Sequence, residues 1–224
     1  MPNLLLIDTS GPCCQVGLRG VKFSMRHGIE ERQSAQSLLP LIADLCSDSE
    51  VPLSGLDAVA VMAGPGSFTG LRIGVGVAQA LTMANNIPGI ALSNLAVFAL
   101  HAGTQVQAQK FLVALSARDG EIYFGAYQRD DKLGVSLLLS EQVAAVKNLD
   151  LPKNCDSVAF VGAAWQEDSE LDTIRKQVNP GAPVLDAELN LESMGRLAAA
   201  YYEQGLLCEP SAIRPNYIKE QLDY

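Results

Sequence analysis

Basic residues and histidines are scarce in this sequence of 224 residues. The 16 lysines and arginines are outnumbered by 25 aspartates and glutamates, which gives a formal net charge of −9. A chain that binds nucleic acid by itself normally needs a broad basic surface to neutralise phosphates, and we expect no such surface here. The two histidines, His27 and His101, form no His-Glu-x-x-His pattern, so a zinc protease is poorly supported.

Paired cysteines and long apolar runs are missing as well. The five cysteines are odd in number and show no Cys-x-x-Cys spacing, which argues against a disulfide framework. The start, MPNLLLIDTS, has no basic region before its four apolar residues, and this run is too short for a signal peptide or a membrane span. We therefore expect a cytoplasmic protein without a membrane partner. Its length fits one large domain or two small ones.

The most informative stretch reads as a strand, a glycine-rich turn and a helix. An apolar strand is predicted from Ala58 to Met62, a turn from Gly64 to Gly70, and a helix onward to Ala84. Gly64 and Gly66 allow a tight turn with outward N–H groups, and the positive end of the following helix favours anions. The spacing thus predicts a place where a phosphate or carboxylate could bind.

Known catalytic loops do not fit this stretch. A Walker phosphate loop needs a Gly-Lys-Ser/Thr ending, and no lysine occurs here. Thr69 stands where the dinucleotide fingerprint has its third glycine, and Ser67 directly follows Gly66, which breaks the Gly-x-Ser-x-Gly pattern of serine hydrolases.

The predicted helix carries unusually many small residues for an element interior. A glycine inside a helix costs about 1 kcal/mol relative to alanine, so another interaction must compensate. Gly70 and Gly74 lie on one face, and Gly76 and Ala80 on another. We expect one of these sides to pack on the sheet of the same chain and the other to bind a partner.

The run Gly64-Pro65-Gly66-Ser67-Phe68-Thr69-Gly70-Leu71-Arg72-Ile73-Gly74 strongly resembles the signature of the bacterial TsaB (YeaZ) family. The resemblance implies an α/β, two-lobed actin-like fold (ASKHA, with a duplicated ribonuclease H-like unit) in which central mixed sheets are flanked by helices. Members of the family pair with a related catalytic subunit, TsaD, in making threonylcarbamoyladenosine in tRNA, and are regarded as non-catalytic. The resemblance therefore implies a scaffold subunit without catalytic residues.

The resemblance also implies a partner interface on two helices. The segment from Ser34 to Ser47 is predicted to be a helix, and its start resembles the family's His-Ser/Thr-x-x-Leu-x-Pro pattern, although Gln33 stands at the histidine position. Together with the glycine-rich helix, it is implied to dock TsaD or a second copy of the chain. The predicted interface residues are Ser34, Leu38, Ile42, Leu45, Thr69, Gly70, Arg72, Ile73, Gly74, Val77 and Leu81.

Asp8 ends the first predicted strand, from Leu4, and is the one plausible ligand-site acid. With Gly64, Gly66 and Ser67 it would form a vestigial phosphate or nucleotide loop, because actin-like ATPases place an aspartate here beside metal and phosphates. The interpretation that we favour is a carboxylate that accepts local hydrogen bonds from the turn Thr9-Ser10-Gly11-Pro12.

The second half of the chain echoes the first at an offset of 108 positions. The strand Leu4 to Asp8 aligns with Leu112 to Ser116, and Val16-Gly17-Leu18 aligns with Phe124-Gly125-Ala126, as a two-lobed fold predicts. The polar segment Ala102 to Lys110 is the best linker candidate, and we divide the chain into an N-terminal lobe, residues 1–103, and a smaller, degenerate C-terminal lobe, residues 104–224. A helix is predicted to begin at Ser140, and Trp165 is predicted to anchor packing.

The second lobe has no counterpart of the Gly64 to Gly70 loop, so half of a nucleotide clamp is missing. We expect no metal and no tightly bound cofactor, and leave open whether ATP binds at the junction of the complex. The partners implied by the resemblance are a TsaD-like paralogue, a TsaE-like ATPase, a second copy when the chain is alone, and tRNA only indirectly. Two alternatives stay open: a small actin-like kinase or ATPase, and, with less support, a peptidase.

Overall fold

The computed structural model describes residues 1–28, 33–216 and 218, which form two compact units. The first unit contains Met1–Asn94 and Leu191–Asn216, and the second contains Leu95–Asn190. The division predicted at residues 103 and 104 differs from this, because the last long helix returns to the first unit. Within the described part of the chain, no helix combines the length and apolarity needed to cross a membrane.

A five-stranded sheet forms the centre of the first unit. Its spatial order is β3-β2-β1-β4-β5, with β1, β2 and β3 antiparallel and β1, β4 and β5 parallel. Strand β1 is completely buried, as expected for a parallel strand covered on both faces. The strands are β1 (Leu4–Asp8), β2 (Gln15–Arg19), β3 (Phe23–His27), β4 (Ala58–Gly64) and β5 (Gly89–Ser93).

Helices cover both faces of this sheet because side chains alternate along its strands. Helices α1 (Ser34–Asp48) and α2 (Phe68–Asn85) share one hydrophobic core with Leu5, Ile7 and Val61. The opposite face is covered by α6 (Leu191–Glu203), which contacts β1, β2 and β5. The predicted strand, turn and helix around the glycine loop are therefore confirmed, with the helix beginning three residues before Leu71.

The second unit repeats the same sheet. Its order, β10-β9-β6-β7-β8, places an antiparallel hairpin on one side of the central strand β6 and parallel strands on the other, as in the first unit. The duplicated α/β architecture with two mixed sheets is thus confirmed. The elements are α3 (Asn94–Gln105), β6 (Lys110–Ser116), β7 (Glu121–Asp130), β8 (Gly134–Ala145), β9 (Val158–Val161), α4 (Ala164–Glu167), α5 (Ser169–Val178) and β10 (Val184–Leu185).

Two local predictions in the second unit were wrong. Instead of a helix beginning at Ser140, strand β8 continues to Ala145, which pairs with Glu121 of β7, because sheet pairing overrides the local helical preference of this segment. Residues 102–105 of the expected linker belong to α3, and Lys110 begins β6. Trp165, in contrast, is confirmed as a packing anchor: it is fully buried, and its Nε1 donates to the Leu112 carbonyl oxygen over 2.8 Å.

The end of the first unit runs back along its sheet and beside α2. Cys208 exchanges backbone hydrogen bonds of 2.9 Å with Gly89 at the start of β5, and Ile213 is completely buried. The carbonyl oxygen of Ile213 accepts a 2.8 Å bond from Gln79 of α2, and Asn216 donates its N–H to Ala63 in β4. This segment thus attaches to both α2 and the central sheet of the first unit.

Candidate functional site

The glycine loop after β4 lies directly against the turn after β1. The Ser67 N–H donates a 2.9 Å hydrogen bond to the Ser10 carbonyl oxygen. A Cβ atom on Gly66 would come within 2.7 Å of Ser10 Cβ, so the two backbones are closer than a side chain would permit. The expectation of outward N–H groups in the Gly64 and Gly66 turn is therefore wrong for Gly64, whose N–H donates to Asn94 Oδ1, and the neighbouring Ser67 N–H is also used within the chain.

A polar network connects the carboxyl ends of three strands. Asp8 is 1% exposed, and its Oδ1 accepts hydrogen bonds from the Ser10 N–H over 2.9 Å and from the Ser10 hydroxyl over 2.6 Å. Asn94, which follows β5, donates its side-chain N–H to Ser10 Oγ over 2.6 Å and accepts the Gly64 N–H over 3.1 Å. The network thus holds the turn after β1, the end of β4 and the start of α3 together.

The Asp8 carboxyl group experiences two opposing effects. Burial raises the pKa of Asp8 above its usual value, and the two hydrogen bonds from Ser10 counteract part of this shift. The interpretation of Asp8 as a carboxylate bonded to its own turn is confirmed by these contacts. Among the residues that the structure describes, no group of three or more His, Cys, Asp or Glu side chains could hold a metal ion.

The first turn of α2 is fixed by the residues around it. Ser67 caps the helix by accepting the Gly70 N–H over 3.3 Å. Thr9, at the end of β1, donates its hydroxyl to the Gly70 carbonyl oxygen over 2.7 Å. A Cβ atom on Gly70 would overlap the Thr9 carbonyl oxygen, and one on Gly74 would overlap the Thr9 hydroxyl. These two glycines therefore allow α2 to approach β1 of the same chain.

The predicted partner interface must be corrected for six of its residues. Gly70 and Gly74 face the sheet of their own chain, and the four residues predicted on α1 lie in the interior. Burial removes all six side-chain positions from the surface that a partner could contact. On α1, the exposed fractions are 7% for Ser34, 1% for Leu38, 2% for Ile42 and 0% for Leu45.

The other predicted interface residues lie at or near the surface of α2. Thr69 and Arg72 are exposed, whereas Ile73, Val77 and Leu81 are partly buried and pack against the core shared with α1. Gly76 is exposed, and a Cβ atom added to it would meet no atom within 4 Å. Of the two faces that small residues form on α2, the one with Gly76 and Ala80 is therefore open.

Large apolar side chains are also exposed on α1 and α2. Leu39 of α1 is 56% exposed, and Phe68 and Met83 of α2 are 51% and 70% exposed. Sequence reasoning missed all three, although an apolar residue that falls outside the buried helical stripe is a usable signal. We use the name outer face for a set of exposed residues on α1 and α2, most of them apolar or small: Leu39, Phe68, Thr69, Arg72, Gly76, Ala80 and Met83.

Comparisons with known proteins agree with this architecture. The family model for TsaD, tRNA N6-adenosine threonylcarbamoyltransferase, matches residues 28–179. The chain is 30% identical to the tRNA threonylcarbamoyladenosine biosynthesis protein TsaB of Haemophilus influenzae, over 99% of this chain and 95% of the relative. It is 29% identical to the protein of the same name from Escherichia coli K12, over 98% and 96%.

The comparison with solved structures agrees with the sequence comparisons. YeaZ from Pseudomonas aeruginosa superimposes with a TM-score of 0.80 at 32% identity, which covers 97% of this chain and 100% of the other. The match spans both units and nearly the full length of the relatives. From its sequence, its fold and its signature loop, the chain belongs to the TsaB (YeaZ) family.

Proposed function

We propose that this chain is a non-catalytic subunit in the synthesis of threonylcarbamoyladenosine in tRNA, and that it docks a TsaD-type paralogue through the outer face. The observation that carries the proposal is the half or greater exposure of Leu39, Phe68 and Met83 on two adjacent helices. Exposed apolar surface of this kind is typical of protein interaction sites. The relatives named TsaB are described as threonylcarbamoyladenosine biosynthesis proteins, and we propose the same pathway for this chain.

We choose a TsaD-type paralogue as the partner because of sequence similarity and because of the chemistry of the outer face. The family model that matches two thirds of this chain is that of TsaD itself, which supports a related fold in the two proteins. The outer face is apolar around a glycine, which suits the close approach of a helix. A homodimer of the isolated chain would use the same face, and a TsaE-like ATPase would join the complex elsewhere.

The arrangement around Asp8 supports a non-catalytic role. Both hydrogen bonds to Asp8 Oδ1 come from Ser10, and the loop that would cradle a phosphate uses the Ser67 N–H to bind the Ser10 carbonyl oxygen. The polar groups are thus engaged with one another. We propose that the chain binds no nucleotide tightly by itself, and that any ATP belongs to the junction of the assembled complex.

The acidic character of the chain supports an indirect relation to tRNA. With a net charge of −9, the chain as a whole repels a polyphosphate backbone. We propose that the catalytic paralogue holds the tRNA in the cytoplasm and that this chain contributes by binding the paralogue.

Nucleoside mass spectrometry of tRNA from cells depleted of this chain tests the proposal. We expect loss of threonylcarbamoyladenosine, and rescue by the wild type, by Asp8→Asn and by Gly76→Ala. Gly76→Leu should fail to rescue, because the leucine side chain would fill the open face of α2. The helix itself can accommodate the leucine, so the fold should be retained. Unaltered tRNA after depletion would refute the pathway, and failure of Asp8→Asn alone would point to the kinase or ATPase alternative.

A further inference from the structure

The five methionines of the chain differ strongly in exposure. Met62 in β4 and Met194 in α6 are 0% exposed, whereas Met83 of α2 is 70% exposed. Met25 of β3 is 43% exposed, and Met1 is the first residue of the chain. A thioether sulfur reacts with an oxidant only where the oxidant can reach it, so these side chains differ in their susceptibility to oxidation. Apart from Met1, the most exposed of the five is Met83.

The position of Met83 on α2 explains this exposure. Met83 lies three residues after Ala80 and seven after Gly76, so the three residues share one side of the helix. Helical side chains lean toward the N-terminus, and in that direction Ala80 and Gly76 have almost no side chain to cover the thioether. Gln79, also one turn before Met83, directs its amide N–H to the Ile213 carbonyl oxygen over 2.8 Å. The thioether is therefore exposed beside the smallest residues of the outer face.

Oxidation of Met83 would change the chemistry of the outer face. A partner that docks on this face would cover the thioether, and a sulfoxide in its place would bring a polar oxygen into the contact. We propose that Met83 is a site of reversible oxidation, and that its oxidation lowers the affinity of the outer face for the TsaD-type paralogue. The oxidation site rests on exposure and position, whereas its effect on docking rests on the proposed function.

The reaction at Met83 uses a peroxide as the oxidant. A sulfur lone pair attacks one oxygen of hydrogen peroxide, the O–O bond breaks, and the departing hydroxide takes the proton of the new S–OH group and leaves as water. Sulfur thereby loses the two electrons that the peroxide gains, and the product is methionine sulfoxide. Two thiols reverse the reaction in methionine sulfoxide reductases, with release of water and formation of a disulfide. The cycle changes one side chain and leaves the backbone of α2 intact.

The added oxygen should affect docking more than folding. In the undocked chain, water can form hydrogen bonds with a sulfoxide at this exposed position. In a docked complex the oxygen would lose that water, and a buried oxygen without a hydrogen-bond partner is costly. Met62 and Met194 are the opposite case, because they lie in the core and their oxidation requires the fold to open. Oxidation of Met83 should thus weaken binding and leave the stability of the chain unchanged.

Peptide mass spectrometry of the full-length chain, treated with hydrogen peroxide, tests the oxidation site. We expect Met83 to form sulfoxide about tenfold or more faster than Met62 and Met194, and faster than the less exposed Met25. Unfolding of the chain in urea should remove most of this difference, because all four sulfur atoms then become accessible. If Met83 reacts as slowly as Met62 in the folded chain, the inference is overturned.

Calorimetric titration of the paralogue with the peroxide-treated chain tests the effect on docking. Dithiothreitol is added after the peroxide, because it returns oxidised thiols to cysteine and leaves the sulfoxide unchanged. We expect oxidation to raise Kd about tenfold or more, the size expected for a buried polar oxygen without a partner. Treatment with methionine sulfoxide reductase should restore the original Kd.

Matched variants assign the effect to one sulfur atom, with each variant compared before and after oxidation. Met83→Leu has no sulfur at this position, so its own Kd should not change on oxidation. Met25→Leu removes the exposed methionine of β3, outside the outer face, and should respond to oxidation as the wild type does. Thermal unfolding of the oxidised wild type should match that of the untreated protein.

Three outcomes separate this inference from the proposed function. If Met83 is oxidised but the Kd of the wild type does not change, the sulfoxide does not regulate docking, even where Gly76→Leu abolishes binding and supports the docking face. If oxidation weakens binding of Met83→Leu as strongly as that of the wild type, another residue carries the effect and the inference is overturned. Normal binding by Gly76→Leu would refute the docking face, and with it the effect on docking, whereas the oxidation site is decided by the peptide measurements alone.

Discussion

The hydroxyl group of Thr9 donates a 2.7 Å hydrogen bond to the carbonyl oxygen of Gly70, at a place where the two backbones touch. This contact joins the end of β1 to the first turn of α2. The glycines at 70 and 74 in the signature loop therefore serve packing within the chain, whereas Gly76 lies on the opposite, open side of the same helix. Gly70 thus permits close packing within the chain, whereas Gly76, six residues later, leaves the helix surface open.

Alanine substitution at two glycines of α2 should have opposite effects on stability. In Gly70→Ala, the new methyl group collides with the Thr9 backbone, and such overpacking costs about 1–3 kcal/mol. In Gly76→Ala, the methyl group meets no neighbour and the helix gains up to about 1 kcal/mol in propensity. Urea unfolding followed by circular dichroism measures both, and a stabilised Gly70→Ala would contradict the close approach seen here.

The Thr9 hydroxyl should contribute measurably to the attachment of α2. Thr9→Val keeps the shape of the side chain and removes the donor to Gly70, with an expected loss of about 1 kcal/mol in unfolding free energy. Thr9→Ser keeps the donor and should lose less. Equal stability of the valine variant and the wild type would show that this hydrogen bond is not important for stability.

Local sequence signals predicted much of the first unit. The strand Leu4–Asp8 was predicted with its observed bounds, because an unbroken apolar run followed by a turn leaves little choice. The duplication was also visible, since Gly17 and Gly125 occupy equivalent return strands. The strand depends on residues that are close in sequence, and the duplication on a pattern that recurs along the chain.

The orientation of α2 could not be predicted in the same way. Its sequence has few polar residues, so the helical pattern does not distinguish the face with Gly74 from the face with Gly76. Only the position of Thr9, more than 60 residues earlier, determines which glycines are covered. The interface prediction therefore combined interior and surface residues.

Replacement of Asp8 should reveal the cost of a buried charge. Because burial raises the pKa of Asp8, the folded chain binds this proton more tightly than the unfolded chain, and stability falls as pH rises from the unfolded pKa through the folded pKa. Asp8→Asn removes this loss while its oxygen can still accept both bonds from Ser10.

We therefore expect Asp8→Asn to be at least as stable as the wild type at pH 7.5, with a difference that shrinks as the pH is lowered toward about 4, the usual aspartate pKa. Unfolding curves at several pH values measure the difference between the two proteins. Asp44→Asn, at an exposed position of α1, serves as the control and should show little effect. A strongly destabilised Asp8→Asn at neutral pH would mean that the ionised carboxylate stabilises the fold.

The segment expected to be a linker is held in place by Arg129. The Arg129 guanidinium donates to the carbonyl oxygens of Gly103 over 2.7 Å and of Val106 and Ala108 over 2.6 Å. It also lies 5.4 Å from the ring centroid of Phe111. Polar composition alone predicted a linker, but one distant cation satisfies three carbonyl groups of this connection.

Arg129→Met should release this connection while keeping much of the apolar stem. Hydrogen bonds to charged groups contribute about 1.5–3 kcal/mol each, so we expect a loss of at least about 2 kcal/mol in unfolding free energy. Trypsin should also cleave the variant after Lys110 under conditions that leave the wild type intact, because the preceding carbonyl groups lose their donor. Arg118→Met, which removes an exposed arginine from the turn before β7, should change neither property. If the Arg129 variant resists trypsin as well as the wild type does, packing alone holds the segment, and the guanidinium contributes to the second unit only through its contact with Phe111.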